Sequence, residues 1–207
     1  MTNYEYFEWC FRQVVNIEGG LSKDPNDLGN KGDNFTYMGI SSRYNPEIKE
    51  IVKLPKDERL KRIRRIYYEK YWQKVAPPIM GLVSPLRDRE ENNMLKHLTF
   101  IMFDASVQYA PEDANKMLQR AINRIIWAEA KYTGNKVEIL EVDGDVGNLT
   151  ILALLRWLKH GVISSYMYLR SLKYMELIGE NNSQAKFVRG WKNRLVKIDN
   201  LIEDADK

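Results

Sequence analysis

Cysteine and histidine are scarce in this sequence, which has one cysteine and two histidines among 207 residues. Cys10 has no partner for a disulfide within the chain, so we expect a fold that does not depend on an oxidising compartment. Because Cys10 lies between Trp9 and Phe11, its thiol is expected to behave as a small buried hydrophobe rather than as a nucleophile. His97 and His160 lie in helical patterns without a neighbouring His or Cys, whereas a metal site needs several convergent ligands. We therefore predict no metal site.

Long apolar runs are also missing. No run of about 18 apolar residues occurs, so we expect no membrane-spanning segment and no stable membrane insertion. The first residues, Met1 to Glu8, lack a basic patch followed by an apolar core, so no secretory signal peptide is visible. The excess of positive charge is small, since 32 Lys and Arg against 28 Asp and Glu give a formal net charge of +4. Such an excess suits work near an anionic polymer, either cell wall or nucleic acid, without choosing between them.

Helical periodicity dominates the rest of the sequence. The first helix carries an apolar stripe and ends at Gly19-Gly20, and the Gly-, Asn- and Asp-rich stretch from Leu21 to Arg43 indicates an ordered loop or a short hairpin. Further helices are predicted from Asn45 to Leu54, from Leu60 to Tyr71 with an end at Val75–Pro78, from Leu95 to Val107, from Pro111 to Ile125, from a cap at Asn148 to Leu158, and on either side of Gly179–Ser183. Residues 134–147 interrupt this pattern with a short extended stretch. The fold class is therefore predicted to be mainly α.

Glu18 places a carboxyl group at the end of the first apolar helix. It continues the stripe of Phe7, Phe11 and Val14, so its side chain should point inward. Partial burial and the negative end of the helix dipole both disfavour the anion, so we expect this glutamic acid to hold its proton near neutral pH. Glycosidic cleavage needs such a general acid to protonate the leaving oxygen, together with a second group that serves the oxocarbenium-like centre.

Two loop residues follow Glu18 at intervals of nine residues. A loop that carries Asp27 could fold back to face Glu18 across a cleft, and Thr36 could position a water molecule. On pattern alone, the alternative is an ordinary helix end followed by an Asx-type turn.

Short motifs along nearly the whole chain have a familiar order. They are Glu18-Gly19-Gly20, Asp24-Pro25-Asn26-Asp27 with Gly29, Thr36 with Gly39-Ile40-Ser41, Tyr67 to Trp72, Phe103 to Val107, Leu118 to Ala121, Asp143 to Gly147 with Thr150, and Phe187 to Arg194. This series resembles the glycoside hydrolase family 108 muramidases, and the spacing of Glu18, Asp27 and Thr36 is similar to the Glu/Asp/Thr triad of phage-type lysozymes.

The resemblance implies a lysozyme-like helical catalytic region over residues 1–110 and a C-terminal helical part over residues 111–207. The second part resembles a peptidoglycan-binding domain and is expected to pack on the first. The implied reaction is hydrolysis of the β-1,4 bond between N-acetylmuramic acid and N-acetylglucosamine, without metal or cofactor. Glu18 would donate the proton, Asp27 would stabilise the cation or orient water, and Thr36 would help to hold that water.

One departure from the family pattern keeps alternatives open. Leu28 replaces a proline of the family's turn, and Asn30 to Phe35 looks like an insertion, so Asp24 and Asp33 are rivals of Asp27 as the second carboxylate. If the loop displaces Asp27, a lytic transglycosylase that uses Glu18 alone is the alternative. A wall-binding protein without activity is another.

Further residues are candidates for substrate binding. The aromatic residues Tyr37, Tyr44, Tyr67, Tyr71 and Trp72 could line a sugar cleft, although aromatic residues at helical spacing more often face the interior. Asp104 lies in an apolar helix, where a carboxylate needs a partner, so it either braces a neighbouring helix or takes part in the site.

The expected partner is the glycan strand of peptidoglycan, bound by a monomer. A basic cluster from Lys56 to Arg65 could attract the anionic wall, but no nucleic-acid-binding motif accompanies it, so no nucleic acid is expected. The resemblance implies a phage or prophage endolysin that accumulates in the bacterial cytoplasm and reaches the wall after release. A bacterial muramidase that assists secretion is the alternative.

Overall fold

Helices account for most of the chain, in a computed structural model that describes residues 2–24 and 30–205, with side chains described as far as residue 201. The helices are α1 (Asn3–Glu18), α2 (Ile48–Ile51), α3 (Lys56–Ile66), α4 (Gln73–Met80), α5 (Arg89–Gln108), α6 (Pro111–Thr133), α7 (Asn148–Trp157), α8 (Val162–Glu180) and α9 (Val188–Ala205). A π-helical segment, Tyr67–Trp72, joins α3 to α4, and 3₁₀ turns at Leu158–His160 and Asn182–Phe187 follow α7 and α8. The predicted mainly α fold is confirmed.

Local sequence fixes both ends of α1. Thr2 caps the helix by accepting from the Glu5 backbone, and the Glu5 side chain accepts from the Thr2 backbone, which forms a complete capping box. Gly19 ends the helix with a φ of 75°, a backbone conformation that residues other than glycine rarely adopt. Glu18 is therefore held as the last helical residue, directly before the chain turns into the sheet.

A small antiparallel sheet follows α1, as the loop or hairpin interpretation predicted. Its strands are β1 (Leu21–Ser22), β2 (Thr36–Tyr37) and β3 (Ile40–Ser41), in the spatial order β1-β2-β3. Tyr37 pairs with Ile40, so Met38 and Gly39 form a two-residue turn, with φ values of 48° and 77°. Positive φ at both turn residues matches the twist of the strands that flank a tight hairpin.

The predicted end of a helix at Val75–Pro78 is wrong, because α4 continues through Pro77 and Pro78 to Met80. A proline inside a helix removes a hydrogen-bond donor and crowds the preceding turn, which is why the sequence indicated a stop. Here Val75, Ala76, Ile79 and Met80 are all buried, and we attribute the continuation to this packing.

Two other helix starts differ from the sequence prediction. The helix expected from Asn45 to Leu54 is a single turn, α2, because Pro55 is already the extended N-cap residue of α3 and disfavours a helical residue before it. Asn148 is the first residue of α7 rather than its cap, and Gly147 occupies the cap position without a side-chain bond.

The core is one continuous cluster that extends from Phe7 in α1 to Ile198 in α9. Helix α5 contacts α1, α4, α6 and α8, and every residue from His97 to Ser106 is buried. A helix buried on all sides is expected to be apolar all round, so a charged residue there needs a partner inside the protein. In the part of the chain that the structure describes, no helix is both long and apolar enough to cross a membrane.

Candidate active site

Glu18 lies where α1 meets the β2–β3 turn. A Cβ atom built on Gly39 would lie 2.6 Å from Glu18 Cγ and 2.8 Å from the Tyr67 hydroxyl oxygen. That hydroxyl donates a 2.6 Å hydrogen bond to the Met38 carbonyl and so ties the turn to the π-helical segment. The hairpin therefore packs directly against the Glu18 side chain, and only a glycine fits at the point of contact.

The carboxylate of Glu18 is paired with an arginine from the last helix. Arg194 Nη2 donates to Glu18 Oε1 at 2.5 Å, and the two side chains are 8% and 15% exposed respectively. Three effects therefore act on the Glu18 carboxyl group, namely the Arg194 cation, partial burial and the dipole of α1 at its C-terminal end. From the sequence only burial and the dipole could be considered, because nothing near Glu18 in the sequence indicates that Arg194 pairs with it.

Asp104 in α5 holds Arg194 in place. Arg194 donates to both carboxylate oxygens of Asp104, from Nε at 3.0 Å and from Nη2 at 2.7 Å. Arg170 of α8 donates to Asp104 Oδ2 at 2.6 Å and to Gln108 at 2.7 Å. Burial opposes ionisation of Asp104, but Arg194 and Arg170 outweigh it and hold the pKa of Asp104 below its ordinary value. Glu18, Arg194, Asp104 and Arg170 thus form a chain of buried and half-buried charges.

Of the other two members of the proposed triad, Thr36 lies among the described residues and Asp27 does not. Thr36 in β2 donates from its hydroxyl to Asn30 Oδ1 at 2.8 Å, and Asn30 is buried. Asp27 lies outside the described residues. Its rival Asp24 accepts from Lys186 Nζ at 2.6 and 2.7 Å, which links the loop after β1 to the 3₁₀ turn before α9. Asp33, the more remote rival, is exposed.

The substrate-binding candidates fall into two groups. Trp72 and Asp104 have no exposed surface, which favours core packing for Trp72 and bracing for Asp104 over contact with a sugar. Tyr37 and Tyr71 are half-buried. The Arg59 guanidinium lies 5.6 Å from the centre of the Tyr37 ring, and the Tyr71 hydroxyl accepts from Asn45 at 3.4 Å. These two tyrosines have surface left for a ligand.

The motifs in the C-terminal part meet in one hydrogen-bonded cluster. Gln119 Nε2 donates to Asp143 Oδ1 at 2.6 Å and to the Asp145 carbonyl at 3.0 Å, while Gln119 Oε1 accepts from the Gly144 backbone at 2.8 Å. The Thr150 hydroxyl donates to the Asp145 carbonyl at 3.3 Å. This cluster holds the loop 134–147 against α6, beside a groove of about 1010 Å³ between α6, this loop and α7.

Sequence reasoning did not single out Arg194 as a site residue, and it considered Tyr67 only as one of the aromatic residues that could line a sugar cleft. Arg194 is the last residue of the motif Phe187 to Arg194, and Tyr67 is the first residue of the motif Tyr67 to Trp72. Glu18, the partner of Arg194, lies 176 residues away in sequence. A buried aspartate in an apolar helix was the available signal, since it required a cation from somewhere in the fold.

Comparison with known families agrees with this arrangement. Residues 11–80 match the family model described as "Glycosyl hydrolase 108", and residues 113–196 match the one described as "Predicted Peptidoglycan domain". Glu18 and the hairpin lie in the first match, and the Gln119 cluster and Arg194 lie in the second. Neither a curated protein nor a solved structure matches the chain significantly. The chain thus combines a glycosyl hydrolase 108 region with a peptidoglycan-binding region, which makes it a glycoside hydrolase that acts on the bacterial cell wall.

Proposed function

We propose that this hydrolase is an N-acetylmuramidase, which cleaves the β-1,4 bond between N-acetylmuramic acid and N-acetylglucosamine. The observation that carries the proposal is the position of Glu18. It is a half-buried carboxyl group held between α1 and the β2–β3 turn, inside the region that matches glycosyl hydrolase 108. A carboxyl group fixed in this way, with part of its surface still open, has what a general acid for glycosidic cleavage needs.

In the proposed reaction, Glu18 transfers its proton to the leaving glycosidic oxygen while the bond from that oxygen to the sugar C1 breaks. Positive charge develops on the ring, and a water molecule adds its oxygen to C1 and releases a proton, which balances the proton that Glu18 gave to the leaving oxygen. Asp27 stabilises that charge or orients the water, and Thr36 helps to hold the water. Tyr37 and Tyr71 offer the aromatic faces on which sugar rings pack.

The C-terminal part, residues 111–207 by our division, would bind the wall and keep the catalytic region near its glycan substrate. The resemblance to phage endolysins leads us to propose cell lysis as the biological role. The protein would accumulate as a monomer in the bacterial cytoplasm and act on the wall after release.

The decisive test is the loss of turbidity of purified Gram-negative peptidoglycan with the wild type and with Glu18→Gln, followed by mass spectrometry of the soluble products. Glu50→Gln is a matched control, because Glu50 is an exposed glutamate that pairs with Lys53 in the next turn. We expect reducing-end muropeptides from the wild type and from Glu50→Gln, and no clearing by a folded Glu18→Gln.

Other outcomes separate the alternatives. Anhydro products, which lack the added water, would make the enzyme a lytic transglycosylase. Wall binding without clearing by the wild type would identify a binding protein that has lost activity. Undiminished clearing by Glu18→Gln would refute the role of Glu18.

A further inference from the structure

We propose that Arg194 is a positioning residue for Glu18, so that helix α9 of the peptidoglycan-binding region completes a catalytic site that α1 and the hairpin begin. This inference rests on the proposed role of Glu18 as proton donor. It adds a residue that lies far outside the glycosyl hydrolase match at residues 11–80.

The geometry leaves the Arg194 guanidinium little freedom. Its Nε and Nη2 both donate to Asp104, and the same Nη2 donates to Glu18 Oε1. A guanidinium group is planar, so two bonds to one carboxylate fix its orientation. Asp104 is in turn held by Arg170 from the opposite side of the network. The position of Arg194 Nη2, the nitrogen that faces Glu18, is therefore fixed by hydrogen bonds to a buried residue of the core.

In the proposed reaction the Glu18 carboxyl group becomes a carboxylate beside Arg194. When Glu18 gives its proton to the leaving oxygen, the negative charge that remains on the carboxylate lies 2.5 Å from Arg194 Nη2. A fixed donor aimed at charge that develops during the reaction stabilises the transition state more than the ground state. Arg194 thus orients the carboxyl group before proton transfer and stabilises the carboxylate afterwards.

A purely structural role for Arg194 is the competing explanation, because the same bonds attach α9 to α5 and α1. Arg170 provides the matched control. Like Arg194, it is buried and donates to Asp104, but its other hydrogen bond goes to Gln108 instead of Glu18. Substitution of either arginine removes one of the two ion pairs of buried Asp104. Substitution of Arg194 also removes the contact with the proton donor Glu18.

The charged and titratable groups around Glu18 keep one charge state near neutral pH. Arginines 194 and 170 remain cationic, and Asp104 remains anionic. Burial raises the pKa of Tyr67 well above its ordinary value and raises that of Tyr71, so both stay neutral. On α9, Lys197 donates to the Asn16 carbonyl. Arg194 therefore faces Glu18 as a cation near neutral pH.

The experiment compares the wild type with Arg194→Gln, Arg194→Lys, Arg170→Gln and Glu18→Gln. The measurements are the initial rate of peptidoglycan clearing as a function of wall concentration, wall binding by co-sedimentation, and thermal unfolding. In Arg194→Gln, the maximal rate per folded molecule should fall by about 10²-fold, because the Glu18 carboxyl group loses the donor that orients it. The half-saturating wall concentration should stay near the wild-type value. Arg194→Lys keeps the charge but loses the planar guanidinium that fixes its orientation, so its maximal rate should lie between those of the wild type and Arg194→Gln.

Arg170→Gln should lose stability but lose less rate per folded molecule than Arg194→Gln, and wall binding should persist in all folded variants. The inference is overturned if Arg194→Gln and Arg170→Gln both lower clearing only in proportion to the folded fraction. If Arg194→Gln does not fold, Arg194→Lys decides, since a folded variant with the wild-type rate overturns the inference. Clearing by Glu18→Gln would defeat the proposed function itself, whereas an inactive Glu18→Gln beside an undiminished rate per folded molecule in Arg194→Gln defeats only the role of Arg194.

Discussion

Gly39→Ala is the substitution that most directly tests whether the hairpin turn aims Glu18. Gly39 has a φ of 77°, and an added Cβ would lie 2.6 Å from Glu18 Cγ, 2.7 Å from Glu18 Cδ and 2.8 Å from the Tyr67 hydroxyl oxygen. The backbone strain of a left-handed alanine costs about 1–2 kcal/mol. The contacts are shorter than real Cβ contacts, so the Glu18 side chain or the turn must move. A misplacement of about 1 Å at a catalytic group can cost about 10²-fold in rate.

The expected result is therefore a loss of activity out of proportion to the loss of stability. Gly134→Ala is the matched control, because Gly134 has a similar φ of 73° and no atom within 4 Å of an added Cβ. Urea denaturation should show a loss of about 1–2 kcal/mol for Gly134→Ala and at least that loss for Gly39→Ala, while peptidoglycan clearing per folded molecule should fall only in Gly39→Ala. Clearing by Gly39→Ala at the rate of Gly134→Ala would refute the reasoning that the turn positions Glu18.

Two further predictions concern the groups that hold the site together. Asp104→Asn should lower the unfolding free energy by about 3–5 kcal/mol near neutral pH, because it leaves two buried arginines without their shared anion. Because the pKa of Asp104 is depressed in the folded protein, its contribution is fully present above its unfolded pKa of about 3.9 and is lost as the pH falls through the folded value. Denaturation curves at decreasing pH should thus show the difference between wild type and variant shrinking below about pH 4, and a constant difference would contradict this account. Tyr67→Phe should cost about 1–3 kcal/mol and slow clearing, since the buried Met38 carbonyl loses its donor. The control Tyr6→Phe removes a similar bond to the Lys96 carbonyl and should cost stability alone, so equal clearing by the two variants would count against a role for the turn.

The fold class was predictable because local signals and the apolar pattern agree. The stripe of α1, its stop at Gly19 and the Gly-rich stretch that forms the sheet all follow from short-range chemistry. Pro77 and Pro78 show where that approach fails. Their local preference is to end a helix, but buried neighbours on both sides keep α4 helical to Met80. Propensity is a weak guide wherever packing opposes it.

The candidate site was predictable in part, for a different reason. Glu18 could be singled out as a candidate because it combines an apolar stripe, a helix end and a motif in adjacent residues. Its surroundings could not, because Gly39, Tyr67 and Arg194 come from a hairpin, a π-helical segment and the last helix. Only the need of buried Asp104 for a cation pointed to a distant partner. Two arginines, Arg189 and Arg194, lie near the C terminus, and burial in the fold distinguishes Arg194 from the exposed Arg189.

The buried charges also bear on how the two matched regions depend on each other. Asp104 lies between the two family matches, Glu18 lies in the first, and Arg170 and Arg194 lie in the second. Removing such charges from water costs several kcal/mol per ion, and only the complete set of partners offsets that cost. If α9 left its place, Asp104 would lose one of its two cations and Glu18 would lose the Arg194 donor together. Packing of α9 is thus coupled to the surroundings of Glu18, and a peptidoglycan-binding region exchanged for an unrelated one would remove part of the surroundings of the proposed catalytic carboxyl group.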